Sequence, residues 1–193
     1  MTKIILATTS PYRIEAFKFL DIDFASEGSQ VDEKFDGRPD DPCELVLELS
    51  KRKAESVAEN HTDGIVIGFD SVGWFDGKIL EKPQSRKEAF DRIKKLSDNS
   101  YSYNTGLYVM DIARGKVISK VVSTEIKVRN IADSEIEKYL DQDPKYNTYG
   151  NGYDPLGHYS STFAESIKGS YNNFLRGIPL EAIIEILKEL RVI

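Results

Sequence analysis

The chain has 193 residues, of which 40% are hydrophobic and 30% are charged, a balance typical of a globular protein rather than a disordered one. Its single cysteine, Cys43, rules out an intrachain disulfide and a cysteine-rich metal site. The net charge of −6 disfavours a general nucleic-acid binder, and no apolar run approaches the ~20 residues of a membrane span. With no signal-peptide core, the expectation is one soluble, cytoplasmic domain over residues 1–193.

The first half of the chain predicts alternating strands and helices. Ser10 is a favourable N-cap and Pro11 suits the first helical position, so a helix is predicted to begin there. Asp41–Glu44 repeats this pattern for a second helix, which is predicted to run to about Asn60. The other predicted elements are a buried strand over 3–7, a polar loop over 26–41 and a short strand over 65–69 that ends on Asp70.

The second half predicts a hairpin, three helices and a pair of strands. Asp76-Gly77 is a hairpin signal, and Ser85–Glu88 is a capping box before a helix. The helix after the capping box is predicted to face inward with Ala89, Phe90, Ile93 and Leu96. The elements predicted after it are strands over 101–110 and 116–128, a short helix capped by Asp133, and a loop over 141–159. A last helix is predicted to begin at Pro179 and to face inward with Leu180, Ile183, Ile184 and Leu187. Alternation followed by clustered strands predicts an α/β fold with a mixed sheet.

Arg13 occupies an unusual position for a cation. It falls in the first turn of the first predicted helix, where the helix dipole disfavours positive charge by a few tenths to ~1 kcal/mol. A bound anion would reverse that sign, because free backbone N–H groups and a guanidinium together can cradle a phosphate. The alternative is a solvated surface arginine, which the local pattern alone favours.

Lys53 and Asp70 also break local rules. Lys53 falls within the apolar stripe of the second predicted helix, between Leu49 and Val57. It must either snorkel to solvent or point at an anion inside a cleft. Asp70 ends an apolar strand, where open α/β sheets place their ligands, although aspartates at strand ends also cap turns.

Glu33 and Lys82 carry no signal alone, since each reads as a solvated loop charge. Taken together with Asp70, Arg13 and Lys53, they provide two carboxylates and three cations. Carboxylates can hold a divalent metal, and cations can hold a polyphosphate. An overall acidic protein needs such local focusing of positive charge to attract an anionic substrate.

Five blocks of the chain carry a resemblance through their order and spacing. They are Leu6–Glu15, similar to LASxSPRRxEL; Val31–Glu33, similar to an acidic loop; Lys53–Ala58, similar to KAxxVA; Ile67–Ala89, similar to GADTVV…DGxILGKPxxxxEA; and Ile167–Leu180, similar to IxGxYxNVxGLPL. These blocks resemble the Maf family, also called septum formation proteins, over nearly the whole chain. That family belongs with the inosine triphosphatase-like nucleotide pyrophosphatases.

The chain departs from the Maf pattern at several positions. Tyr12 stands in place of the first of two arginines, Tyr101 in place of a histidine, and Leu156 at the position of a glutamine. The segments Gly150–Gly157 and Thr162–Glu165 instead resemble GxGYDPxF…TFAE of the sister inosine triphosphatase family. The resemblance therefore describes a Maf protein with a base-side loop of the sister type.

The resemblance implies hydrolysis of nucleoside triphosphates to the monophosphate and pyrophosphate with a divalent metal, Mg or Mn. The substrates would be non-canonical, modified or of the dTTP/UTP type. It also implies an inosine triphosphatase-like fold, with an elongated mixed sheet, flanking helices and two lobes around a cleft, and a homodimer. By resemblance, the phosphate ligands are Ser10, Arg13, Lys53 and Lys82, and the residues that hold metal or activate water are Glu33 and Asp70.

The loop from Tyr149 to His158 predicts how the base is chosen. We expect it to close over the base, with Asp154 reading the base edge and Tyr153 stacking near it. A buried carboxylate favours bases that present an N–H donor, such as inosine, xanthine, uracil or thymine. The alternative is that Asp154-Pro155 only forms a turn, since proline suits the second position of one.

A second function stays open beside hydrolysis. The departures at Tyr12 and Leu156 are compatible with a catalytically weak nucleotide-binding regulator, linked to cell division arrest in keeping with the family's name. Retention of both Glu33 and Asp70 argues against it, because binding alone needs fewer carboxylates near phosphates. Neither a nucleic-acid polymer nor a membrane is an expected partner.

Overall fold

The computed structural model describes residues 2–193, which divide into two compact units. The first unit comprises residues up to 71, 104–122 and 176–193, and the second comprises 72–103 and 123–175. The strands and helices are β1 Ile4–Ala7, α1 Pro11–Phe17, β2 Ala25–Glu27, α2 Pro42–Ala58, β3 Ile65–Phe75, β4 Lys78–Leu80, α3 Arg86–Leu96, β5 Ser100–Asp111, β6 Lys116–Val128, α4 Asp133–Gln142, β7 Ala164–Lys168, α5 Tyr171–Arg176 and α6 Leu180–Glu189.

The strands form a mixed sheet in the order β2-β1-β3-β5-β6-β7, with β4 paired to β3. β1 lies parallel to both β2 and β3, whereas β4 is antiparallel to β3 and β7 is antiparallel to β6. Three long strands, β3, β5 and β6, contribute residues to both units. The α/β class with a mixed sheet is therefore confirmed.

Each unit has its own apolar core. In the first unit, β1, the start of β3 and α6 bury Leu6, Ile67, Phe69 and Ile183, while α2 covers β1 and β3 through Ala54 and Val57. In the second unit, α3, α4 and the 150–163 segment bury an aromatic cluster that includes Tyr139, Tyr153 and Phe163.

The caps predicted for α2 and α3 and the predicted hairpin turn are confirmed by the structure. Asp41 caps α2 by accepting hydrogen bonds from the N–H groups of Cys43 and Glu44, and Ser85 caps α3 by accepting one from Glu88 N. The hairpin between β3 and β4 places Asp76 at φ 50° and Gly77 at φ 69°, the left-handed geometry that an Asp-Gly pair adopts in a two-residue turn.

Several predicted boundaries are wrong. The strand predicted to end on Asp70 continues to Phe75, because its second half pairs with β4. Asp133 does not cap α4 but is its first residue, while Glu135 accepts the hydrogen bond from Ala132 N. In the last helix Ile186 is buried, and Ile184 is only half-buried.

Three short elements were not predicted: β2, β7 and α5 each span six residues or fewer, too short to show a periodic pattern. In residues 2–193, none of the helices combines the length and the apolar character that crossing a membrane requires.

Candidate active site

In the first unit, α2 and β3 bring a lysine and an aspartate into contact. Lys53 projects from α2, and Asp70 lies on β3 two residues beyond Gly68, the last residue that pairs with β1. Gly68 allows the helix to lie directly on the strand, because a Cβ there would stand only 2.1 Å from the Ser50 carbonyl oxygen. Asp70 therefore lies within β3, just past the residues that pair in parallel with β1, rather than at a strand end.

Three charged side chains of this unit meet at the ammonium group of Lys53. Its Nζ donates hydrogen bonds to Glu33 Oε1 and to Asp70 Oδ1, each at 2.6 Å. The Lys53 and Asp70 side chains are 13% and 10% exposed, whereas that of Glu33 is 57% exposed. Lys53 therefore points at anions rather than snorkelling to solvent, and it is shared by an exposed loop residue, Glu33, and a buried strand residue, Asp70.

Burial raises the pKa of Asp70 above the ordinary aspartate value. The positive charges of Lys53 and Arg13 oppose this change, while the negative charge of Glu33 adds to it. Residues Arg13, Glu33, Lys53 and Asp70 thus act on one another electrostatically within the first unit. A carboxylate with a raised pKa is a better proton acceptor at neutral pH than an ordinary aspartate, which is the property of a general base.

Arg13 is held by hydrogen-bond acceptors from two segments, Gly177 and β3. Its Nε donates to the Gly177 carbonyl at 2.9 Å, and its Nη2 donates to Ser71 Oγ at 2.8 Å. The Ser71 hydroxyl in turn lies 2.7 Å from Thr105 Oγ1 on β5. Because a guanidinium has five N–H donors, these contacts orient Arg13 and leave donors for an anion.

Sequence reasoning missed Ser71 and Thr105 as supports of Arg13. Thr105 is fully buried in β5, and a buried hydroxyl needs a hydrogen-bond partner. The sequence of β5 carries several polar residues besides Thr105, so it gave no signal that singled out this hydroxyl or its partner.

Ser10 precedes α1, as predicted, but does not cap it with its side chain. Its backbone N–H donates to Thr8 Oγ1 at 3.1 Å, and its carbonyl accepts from Ile14 N. The helix start is confirmed. The phosphate-binding role of Ser10 stays a prediction.

The residues of the first unit fit a magnesium or manganese ion of the kind that binds phosphates. Both Glu33 and Asp70 approach the same Lys53 nitrogen at 2.6 Å, so the two carboxylates face one point of the first unit. Residues 2–193 contain no group of three or more His, Cys, Asp or Glu side chains arranged for a metal ion. Two carboxylates, completed by substrate phosphates and water, are a usual donor set for Mg²⁺.

The loop that carries Glu33 is anchored to α2 by an aromatic stack. The Arg52 guanidinium carbon lies 3.6 Å from the Phe35 ring centroid, and Arg52 Nε donates to Glu48 Oε1 at 2.6 Å. A cavity of about 480 Å³ lies beside this stack, lined by residues of the 35–39 loop, by α2 and by Tyr108 and Ser119. The contact between Phe35 and Arg52 therefore holds a loop that is not close-packed on α2, and Phe35 is two residues from Glu33.

Lys82, predicted to bind phosphate, lies in the second unit just after β4 and is exposed. Its carbonyl accepts from Gln84 Nε2 at 2.9 Å. Sequence reasoning missed Arg92, which donates to the carbonyl of Glu81 and, at 2.7 Å, to that of Gly150. Arg92 thus ties the segment that carries Lys82 to the start of the Gly150–Gly157 segment.

The structure places Tyr153 and Asp154 inside the second unit. Tyr153 is 1% exposed, its ring packs edge-to-face on Phe163, and its hydroxyl lies 2.8 Å from that of Tyr101. Asp154 Oδ1 accepts from Leu156 N at 3.0 Å, which is the hydrogen bond of an Asx turn. Tyr153 therefore presents no ring face for a base in this structure, and Asp154 forms the turn that was the alternative to base reading.

A model of the family described as Maf-like protein matches residues 3–190 of the chain. The dTTP/UTP pyrophosphatase of Dictyoglomus thermophilum is 32% identical over 194 residues, which cover 97% of this chain and 96% of that protein. The dTTP/UTP pyrophosphatase of Clostridium novyi is 36% identical over 195 residues, which cover 98% of each.

Among solved structures, the Staphylococcus aureus Ham1 protein is similar with a TM-score of 0.45 and 18% identity, over 68% of this chain and 72% of that one. The match of the family model over almost the entire length, together with relatives above 30% identity, shows the family. The chain belongs to the Maf-like proteins.

Proposed function

We propose that this protein is a nucleoside triphosphate pyrophosphatase, which hydrolyses a nucleoside triphosphate and water to the monophosphate and pyrophosphate. The observation that carries the proposal is Lys53, which bridges the buried Asp70 and the loop residue Glu33 at 2.6 Å each. Both relatives described above are named dTTP/UTP pyrophosphatases, which supports the same reaction and suggests dTTP or UTP as the first substrates to try.

Asp70 is the proposed general base. It accepts a proton from the water that attacks the α-phosphate, and its burial raises its pKa toward the range in which a carboxylate does this well. Arg13 and Lys53 bind phosphate oxygens and stabilise the charge that develops on the leaving pyrophosphate. Thr105 and Ser71 keep the Arg13 guanidinium oriented while it does so.

Glu33 and Asp70 are the proposed ligands of a divalent metal, magnesium or manganese. When bound, such an ion neutralises phosphate charge and lowers the pKa of a coordinated water. Lys53 offsets part of the negative charge of the two carboxylates in the absence of substrate, so it is positioned to exchange them for phosphate oxygens. Lys82 is proposed as a further phosphate ligand on the basis of the resemblance.

The narrower predictions concern substrate and context. Non-canonical or modified triphosphates are proposed as substrates beside dTTP and UTP, because the Gly150–Gly157 segment resembles that of the sister family. A cytoplasmic location and a homodimer stay predictions.

The test is release of pyrophosphate from a panel of standard and modified triphosphates, with magnesium or manganese and with a chelator. Hydrolysis of at least one triphosphate that is lost in the chelator supports the proposal. Binding of triphosphates without turnover under every condition would instead support the nucleotide-binding regulator. Glu33→Gln and Lys82→Ala, measured on the best substrate, test the metal and phosphate roles separately.

A further inference from the structure

Arg176 is a cation without an acidic partner. Its guanidinium carbon lies 5.6 Å from the centroid of the Tyr12 ring, within the range of a cation–π contact. Across residues 2–193 its side chain makes no hydrogen bond and no ion pair, although it is half-buried. All five of its N–H donors are therefore available, which is the arrangement that suits bidentate contact with a phosphate.

Arg176 stands beside the anchor of Arg13. The residue after Arg176 is Gly177, whose carbonyl accepts the Nε hydrogen bond of Arg13 at 2.9 Å. The residue before Arg13 is Tyr12, whose ring lies under Arg176. The dipeptides Tyr12-Arg13 and Arg176-Gly177 therefore contact each other twice, through Arg13 with Gly177 and through Tyr12 with Arg176. These contacts bring both arginines to the same part of the first unit.

The charge balance around Arg13 and Arg176 favours binding of an anion. Arg13 donates to a carbonyl and to a hydroxyl, which are neutral acceptors, and it acts on the buried Asp70 only through its charge, with no direct ion pair. Arg176 adds a second positive charge in a protein whose net charge is −6. Such local focusing attracts a polyanion that the protein as a whole would repel.

We propose that Arg176 is a second guanidinium of the phosphate-binding site and contacts the terminal phosphates of the triphosphate, which leave as pyrophosphate. Tyr12 is the platform that holds Arg176 in place, since a ring under a guanidinium orders it without consuming its donors. The identity of the ligand rests on the proposed function, whereas the assignment of Arg176 to an anion rests on its own contacts.

The first experiment measures pyrophosphate binding by calorimetry and the KM of the best triphosphate for Arg176→Ala and Arg176→Lys. Loss of charge-assisted hydrogen bonds to phosphate should weaken pyrophosphate binding and raise KM by about ten- to hundredfold in Arg176→Ala. Arg176→Lys keeps the charge but loses the planar fork, so its loss should be smaller. The matched control is Lys188→Ala, an exposed position on α6, which removes the same charge and should leave both constants within about twofold.

The second experiment moves the guanidinium to the other member of the pair. Because Tyr12 and Arg176 touch, the exchange Tyr12→Arg with Arg176→Tyr should restore most of the pyrophosphate affinity that Arg176→Tyr alone loses. A merely structural role for the Arg176–Tyr12 contact predicts that the pyrophosphate affinity of every variant follows its Tm, so a loss of affinity in Arg176→Lys or Arg176→Ala at an unchanged Tm separates the two roles.

The outcomes separate this inference from the proposed function. If Arg176→Ala binds pyrophosphate as tightly as the wild type, or if Lys188→Ala loses as much, the inference is overturned. If wild-type protein hydrolyses no triphosphate but Arg176→Ala still weakens pyrophosphate binding and the exchange restores it, Arg176 binds phosphate and the proposed hydrolysis is wrong.

Discussion

Substituting Gly68 by alanine should separate the geometry of the site from the stability of the fold. An added Cβ would stand 2.1 Å from the Ser50 carbonyl oxygen and 2.8 Å from Ala54 Cβ, both on α2. Since favourable non-bonded contacts lie at roughly 3.5–4 Å, α2 has to move away from β3 by about 1 Å or more. The Lys53–Asp70 contact of 2.6 Å would then open to about 3.6 Å, beyond hydrogen-bond range.

Two effects of known size follow from that displacement. Overpacking of a buried contact costs about 1–3 kcal/mol, which corresponds to a fall in Tm of roughly 2–10 °C for a chain of this length. Misplacement of catalytic groups by 1 Å can cost up to about 100-fold in rate. Because lysine is flexible and recovers part of the distance, we expect kcat of Gly68→Ala to fall by about ten- to hundredfold.

Gly106→Ala is the matched control. Its added Cβ would stand 2.2 Å from the Val46 carbonyl oxygen, an equally severe contact with the same helix, but about two turns before Lys53. Both variants should therefore lose similar stability in thermal melts, while Gly106→Ala retains more of its kcat in assays well below either Tm. Equal losses of kcat at equal losses of Tm would refute the argument that Gly68 sets the Lys53–Asp70 contact.

Three further predictions concern charge, the Glu33 loop and the base. Burial raises the pKa of Asp70, so the acid limb of the kcat/KM profile should lie above the ordinary aspartate value of about 3.9. Asp70→Asn should lower kcat by about 10²–10⁴-fold. The Tm of Asp70→Asn relative to wild type should rise as the pH increases from 4 through the folded pKa of Asp70, because only the wild type then carries a buried charge. Phe35→Leu should increase amide hydrogen exchange over residues 31–38 by about two- to thirtyfold, whereas Phe35→Trp keeps the Arg52 stack and its protection. Asp154→Ala, assayed on inosine, xanthosine, uridine and cytidine triphosphates, should lower activity on all four alike if Asp154 only forms its turn; a change in their rank order would support base reading.

Features encoded by neighbouring residues were predictable from the sequence. The caps of α2 and α3 and the Asp76-Gly77 hairpin depend on hydrogen bonds or dihedral angles within a few residues, so the residue types reveal them. The inward position of Lys53 was also predictable, because helical periodicity fixes the face of each residue.

Contacts between distant segments were not predictable in the same way. The Asp76-Gly77 signal predicts the hairpin between β3 and β4 but not that its first strand is continuous with the buried strand before it, so Asp70 was placed at a strand end when it lies mid-strand. The supports of Arg13 come from three separate segments of the chain, and its link to Gly177 spans almost the whole sequence. Arg176 likewise shows its importance only through its contact with Tyr12.

Two departures from the Maf pattern meet in the second unit and explain each other. Tyr101 stands where the family has a histidine, and Tyr153 belongs to the segment that resembles the sister family, yet their hydroxyls lie 2.8 Å apart in the core. Burial raises the pKa of both, so both stay neutral and one donates to the other. Removing either partner would leave a buried hydroxyl unsatisfied, at a cost of about 1–3 kcal/mol. The packing and turn geometry of this unit therefore account for the Tyr-Asp-Pro sequence of the Gly150–Gly157 segment, and the activity of Asp154→Ala on the four triphosphates decides whether this segment also selects the base.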